Sequence, residues 1–69
     1  MINNLKKYRE KKGYTQEAVA VSIGVSQQCI DHWEHGRREP NITKLKKLAK
    51  LFGCTIGDLL AEDDSVTAN

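Results

Sequence analysis

A stripe of polar side chains is the part of this sequence whose residue types and spacing best suit chemistry. The stripe follows one short predicted helix and consists of Ser26, Gln27, Gln28, Asp31, His32 and His35. Its hydroxyl, amide and imidazole groups can exchange hydrogen bonds with the edges of nucleic acid bases. A glutamine amide offers a donor and an acceptor together, which matches N6 and N7 of adenine. The stripe therefore predicts contact with DNA bases.

The stripe lies on the second of two short helices predicted around one tight turn. Thr15 and Ser26 carry the hydroxyl groups that cap helices of about residues 16–23 and 27–35. Between these helices, Gly24 can adopt the positive φ of a sharp bend. The residues predicted to pack the pair together are Val19, Ala20, Ile23, Val25, Ile30 and Trp33. This pattern predicts a helix-turn-helix.

Three further helices complete an all-α prediction. A first helix ends before Gly13, and a turn-like segment spans residues 36–41. A fourth helix is closed by Gly53, and Thr55 with Asp58 resembles a capping box for a short fifth helix. The apolar stripe of the fourth helix is predicted to be Ile42, Leu45, Leu48, Ala49 and Phe52. We expect residues 1–61 to form one domain.

Charge is distributed unevenly along the 69 residues. All 11 Lys and Arg precede residue 61, whereas three of the nine acidic residues follow it. The predicted domain therefore has a formal charge of +5, which suits a polyanionic partner. Residues 62–69 hold three acids and a single Val, so we expect them to form a disordered acidic and polar tail.

The composition argues against several other classes of protein. A chain this short has little core in which to form a catalytic cavity, and it lacks a nucleophile–base pair, so we do not expect an enzyme. Cys29 and Cys54 fit no metal-ligand spacing, and His32 with His35 lacks a third ligand, so we expect no metal, cofactor or small-molecule ligand. Free thiols and the lack of a long apolar run predict a cytoplasmic protein without a membrane span.

Several short motifs occur in a fixed order along the chain. They are Thr15-Gln16-Glu17, Gly24-Val25-Ser26, Trp33-Glu34-His35-Gly36, Pro40 and the run at 48–55. Over residues 3–60 the chain resembles the phage repressor and Cro superfamily of XRE-type helix-turn-helix regulators. The resemblance implies a five-helix, lambda-repressor-like domain with the helix-turn-helix at helices 2 and 3. It also implies a sequence-specific transcriptional regulator of double-stranded DNA, namely a repressor that binds an operator.

The predicted DNA contacts fall into two groups. The base-reading residues are Gln27, Gln28, His32 and Ser26, although the Ser26 hydroxyl serves equally well as a helix cap. The phosphate-binding residues are Gln16, Arg37, Arg38, Thr15 and His35, which lie at a helix start or just after the second helix. Asp31 repels phosphates unless it accepts from a cytosine amine, orients His32 or points sideways.

Other residues are assigned to structure and assembly. The family pattern implies an ion pair between Arg9 and Glu34, which would join the first helix to the third. Because the resembling repressors associate through the end of the domain, we expect Thr55, Ile56 and Leu60 to support a weak homodimer. The alternative function is an antitoxin or other protein-binding module, in which apolar surface on the last two helices meets a partner.

Overall fold

A computed structural model describes residues 4–60 of the chain, and those residues form five α-helices. The helices are α1 (Leu5–Lys11), α2 (Gln16–Ile23), α3 (Gln27–Glu34), α4 (Ile42–Phe52) and α5 (Ile56–Leu60). No strand occurs within residues 4–60, so the all-α prediction is confirmed there. The predicted tail at residues 62–69 lies outside the described residues.

Two hydroxyl caps fix where the central helices begin. Thr15 Oγ1 accepts a hydrogen bond from the backbone N–H of Ala18 at 3.0 Å, and Ser26 Oγ accepts from the N–H of Cys29 at 3.1 Å. Each cap satisfies a backbone donor that has no partner within its helix. Both helices therefore start at the predicted residues.

The turn between α2 and α3 depends on the backbone of Gly24. This residue has φ of +80°, and its N–H donates to the carbonyl oxygen of Ala20 at 2.9 Å. A Cβ atom at Gly24 would meet no heavy atom within 4 Å. Glycine is thus favoured here by the left-handed backbone and not by lack of space.

One core holds the helices together. Its buried members are Leu5, Val19, Ala20, Ile23, Ile30, Trp33, Leu45, Leu48, Ala49, Phe52 and Leu59. Ile30 and Trp33 give α3 a buried inner face, which leaves its polar residues on the outside. The apolar stripe predicted for α4 was wrong at Ile42, whose side chain is 57% exposed at the helix start.

The last helix is anchored at its beginning. The backbone N–H of Thr55 donates to Asp58 Oδ2 and the N–H of Asp58 donates to Thr55 Oγ1, both at 3.0 Å. This reciprocal pair confirms the predicted capping box. Asn4 adds a connection to the start of α1, because its Nδ2 donates to the carbonyl oxygen of Asp58 at 2.8 Å.

Candidate nucleic-acid interface

The outward side of α3 carries two rows of polar residues. Gln27, Asp31 and His35 follow one another at intervals of four residues, and we call them the held row. Gln28 and His32 have the same spacing one position further along, and we call them the open row. Residues four apart lie on the same side of an α-helix, so each row is continuous.

The held row is connected to the first residue of α2. Gln16 Nε2 donates to Asp31 Oδ1 at 3.2 Å and to Glu34 Oε1 at 3.0 Å. Its other amide atom, Oε1, accepts a long hydrogen bond of 3.5 Å from Gln27 Nε2. A single glutamine side chain therefore links α2 to three residues of α3. The sequence placed Gln16 at the DNA backbone, and nothing in its spacing indicated these partners.

Asp31 accepts hydrogen bonds within the protein. Besides the bond from Gln16, its Oδ1 lies 3.3 Å from Nδ1 of His35. The hydrogen bond from Gln16 lowers the pKa of Asp31, and the nearby charges of His35, Arg37 and His32 act in the same direction. The carboxylate is thus held ionised on the side of α3. It contacts His35, whereas one of the sequence-based alternatives paired it with His32.

The open row lines a cleft in the surface. The cleft has a volume of about 290 Å³ and is lined by Ser26, Gln28, Cys29, His32 and Arg38. Within residues 4–60, neither Gln28 nor His32 makes a side-chain hydrogen bond. Their donors and acceptors are therefore available to an outside molecule, whereas each residue of the held row makes at least one side-chain hydrogen bond within the protein.

The two loop arginines have different neighbours. The charge of Arg37 lowers the pKa of Asp31 in the held row. Arg38 lines the cleft with the open row. The sequence grouped these neighbours together as phosphate contacts, and only the folded loop distinguishes them.

An ion pair fastens α3 to α1. Arg9 Nε donates to Glu34 Oε2 at 2.6 Å, and Arg9 Nη2 donates to Glu34 Oε1 at 3.2 Å. The side chains are 11% and 2% exposed, and this hydrogen bonding raises the pKa of Arg9. Arg9 Nη1 also donates to the carbonyl oxygen of Tyr14 at 2.9 Å, just before α2. The pair therefore positions both helices of the helix-turn-helix.

The predicted dimer residues lie at the far end of the chain's described part. Thr55 caps α5, Ile56 is half-buried against the core, and Leu60 is 38% exposed. Leu59, between them, is fully buried. Of the two aliphatic residues, Leu60 therefore exposes more of its side chain to solvent than Ile56 does.

Two other kinds of feature are absent from residues 4–60. They contain no group of three or more His, Cys, Asp or Glu side chains arranged to hold a metal ion. No helix among them is long and apolar enough to cross a membrane. Cys29 and Cys54 are free thiols, each half-buried.

Comparison with known families and proteins points to one group. The helix-turn-helix family HTH_3 matches residues 5–59. An uncharacterised HTH-type transcriptional regulator of Methanocaldococcus jannaschii is 41% identical over 64 residues, which are 93% of this chain and 97% of that protein. The HTH-type transcriptional activator BcrR of Enterococcus faecalis is 38% identical over 63 residues. Those residues are 91% of this chain but 31% of the activator, so the chain spans under a third of that relative.

A solved structure shares the arrangement of the helices. The P22 c2 repressor, crystallised in complex with a synthetic operator, superimposes with a TM-score of 0.80 and 33% sequence identity. The match covers 87% of this chain and 91% of the repressor chain. The five helices described above are thus those of a lambda-repressor-like domain.

Proposed function

Because this chain belongs to the helix-turn-helix family of DNA-binding transcriptional regulators, we propose that it acts by inserting α3 into the major groove of operator DNA. The observation that carries the proposal is the outer face of α3. There, two rows of amide and imidazole groups stand on a helix whose inner face is fixed by Ile30 and Trp33. A rigid helix that presents unsatisfied donors and acceptors is suited to reading base edges.

Gln27 is proposed to read an adenine. Its Nε2 carries two hydrogens, and one of them is directed at Gln16 Oε1. The other hydrogen and the amide oxygen remain, which are the donor and acceptor that adenine N7 and N6 require. The contact with Gln16 thus restricts the Gln27 side chain while leaving both groups that a base needs.

Gln28 and His32 are proposed to read neighbouring base pairs from the open row. Their side chains have no partner within residues 4–60, so they can adjust to the base that they meet. Ser26 has a smaller part, because one lone pair of its Oγ already accepts from the N–H of Cys29, which leaves its hydrogen and a second lone pair for DNA. Ser26 is therefore proposed as a cap that also contacts DNA.

Phosphate contacts are proposed around the two ends of the motif. The first turn of α2, after Thr15, carries backbone N–H groups that favour an anion. The side-chain amide hydrogens of Gln16 are directed at Asp31 and Glu34. The backbone N–H of Gln16 is therefore a better donor to a phosphate than its side chain is. At the other end, Arg37 and the exposed His35 ring lie just beyond α3. These contacts would fix the orientation of α3 without reading sequence.

A weak homodimer is proposed through α5. Leu60 and half-buried Ile56, with Thr55 at the helix start, provide a small apolar surface at one end of the domain. Two copies joined there would present two α3 helices to a two-fold symmetric site. Repression is the proposed outcome of occupying an operator. A cytoplasmic location is also proposed, with which the two free thiols agree.

Selection from a library of random duplexes tests the proposal. We expect the chain to enrich a symmetric site with A·T pairs in each half-site, and to bind that site more tightly than a scrambled duplex of equal length. Equal affinity for the enriched and the scrambled duplex would contradict sequence reading. A chain that binds neither duplex at low salt would contradict DNA binding by this domain.

A further inference from the structure

Arg38 shares its cleft with the leading part of α3. The other lining residues run from Ser26, the cap before the first turn, to His32 in the second turn. In a helix-turn-helix the N-terminal residues of this helix approach the base edges. Arg38 is therefore positioned beside the part of α3 that meets bases, although it comes after the helix in sequence.

The backbone after α3 explains this position. Gly36 has φ of +73°, and its N–H donates to the carbonyl oxygen of Trp33 at 3.2 Å. The N–H of Arg37 donates to the carbonyl oxygen of His32 at 2.9 Å. This pair of bonds is the pattern with which a helix ends in a chain reversal. Two residues after Arg38 the chain is buried again at Pro40. Arg38 is thus anchored on both sides in a loop that turns back along α3.

The neighbouring arginines have different electrostatic surroundings. Arg37 lies near the Asp31 carboxylate, whose pKa its charge lowers. None of the residues that line the cleft around Arg38 is acidic, and no ion pair holds the Arg38 guanidinium within residues 4–60. Its donors are therefore available, next to the unpartnered groups of Gln28 and His32.

We propose that Arg38 reads a guanine, by donating two hydrogen bonds to O6 and N7 in the major groove. This assignment rests on the proposed role of α3 and adds a base contact from outside that helix. The planar guanidinium fork matches the two guanine acceptors in a fixed geometry, whereas a lysine ammonium donates to the same acceptors from a flexible stem. The guanine lies next to the base pairs that Gln28 and His32 contact, because the three side chains line one cleft.

The test compares Arg38→Ala, Arg38→Lys and Arg37→Ala with the wild type in selection from random duplexes. We expect Arg38→Ala to lose the preference for one G·C pair in each half-site, by roughly 5- to 150-fold, as for one bidentate base contact, and Arg38→Lys to keep part of that preference. Preferences at the other positions should remain. Arg37→Ala should weaken binding to all duplexes by a similar factor and leave the selected sequence unchanged.

Arg38→Lys separates charge from geometry. It keeps the positive charge, so the salt dependence of binding should stay near that of the wild type while the guanine preference is weakened. The assignment is overturned if Arg38→Ala lowers affinity for all duplexes equally, or if Arg38→Ala selects the same sequence as the wild type. The proposed function is tested by a different result, because it requires only that the wild type enriches a sequence. A wild type that enriches none would contradict the proposed function itself. Arg38 is exposed, and equal thermal unfolding of the variants excludes a folding defect as the cause.

Discussion

The held row and the open row of α3 lie side by side on one short helix, but they are restrained in different ways. Gln27, Asp31 and His35 are connected to one another or to Gln16 by hydrogen bonds, whereas Gln28 and His32 line a cleft and have no side-chain hydrogen bond to any residue from 4 to 60. Immobilising a long side chain on binding costs about 0.5–1.5 kcal/mol. A restrained glutamine has already met part of that cost, while an unrestrained one can adapt to more than one base.

This difference separates two contributions to recognition. The held row continues into the Arg9–Glu34 pair through Gln16, so its geometry depends on the fold of the whole motif. The open row depends only on the helix that carries it and on the loop that returns Arg38 to its side. Substitutions in the first network should alter stability and binding together, and substitutions in the second should alter binding alone.

The largest expected effect is on stability and concerns Glu34, to which Gln16 connects the held row. Glu34→Ala leaves the Arg9 guanidinium, whose side chain is 11% exposed, without its carboxylate. We expect the free energy of unfolding to fall by about 3–5 kcal/mol, as for other broken buried pairs. Urea unfolding followed by circular dichroism measures this loss. Gln28→Ala is the matched control in the open row and should stay within about 0.5 kcal/mol of the wild type.

A double-mutant cycle of Arg9→Ala and Glu34→Ala checks the cause. Coupling between the two substitutions is expected, because either one alone leaves its partner buried without an opposite charge. Additive losses would mean that the two side chains stabilise the fold independently. In that case the held row would not depend on the ion pair.

The next effect is on discrimination in the open row. Gln28→Ala should reduce the difference in binding free energy between the selected duplex and a scrambled one by about 1–3 kcal/mol, with nonspecific binding nearly intact. Fluorescence anisotropy at constant salt measures both affinities. If Gln28→Ala weakened binding to both duplexes equally, the open row would contribute to affinity and not to sequence reading.

A smaller effect distinguishes the rows through Gln16. Because Gln16 contacts Gln27 and not Gln28, the variants Gln16→Ala and Gln27→Ala should be non-additive in binding the selected duplex, by about 0.5 kcal/mol or more. Gln16→Ala and Gln28→Ala should add within error. Equal coupling in both cycles would remove the distinction between the rows.

The smallest expected effect concerns acid pH. The pKa of Asp31 lies below its ordinary value of 3.8, chiefly because of the hydrogen bond from Gln16, so the ionised carboxylate stabilises the folded chain. That stabilisation is complete above the ordinary value and is lost as the pH falls through the lowered one. Asp31→Asn should therefore flatten the decline of the free energy of unfolding below about pH 4. Gln28→Ala should leave the decline unchanged, and a decline identical in all three proteins would contradict the Asp31 contribution.

The helix boundaries could be predicted from sequence because they depend on local contacts. Thr15, Ser26 and the Thr55–Asp58 pair each bond to a backbone N–H three residues away, so residue type and spacing carry the information. The left-handed backbone of Gly24 is local in the same sense. The five-helix order followed from these signals.

The partners of polar side chains could not be predicted in this way. The hydrogen bonds of Gln16 to Asp31 and Glu34 cross 15 and 18 residues, and they exist only because α2 packs against α3. Arg38 lines the cleft because a chain reversal follows α3. The residue types of this loop did not show in which direction the chain turns. Ile42 matches the apolar spacing of α4 but lies at the helix start, where no other helix covers its side chain.

The glutamine side-chain amides provide the most direct test of base reading by α3. In an NMR titration of the wild-type chain with its selected duplex, we predict large shifts of the Gln27 and Gln28 side-chain amide resonances. A scrambled duplex at the same salt concentration should leave these resonances close to their positions in the free chain, because phosphate contacts alone do not involve them. Equal shifts with both duplexes, or none with either, would contradict the account that these residues read bases.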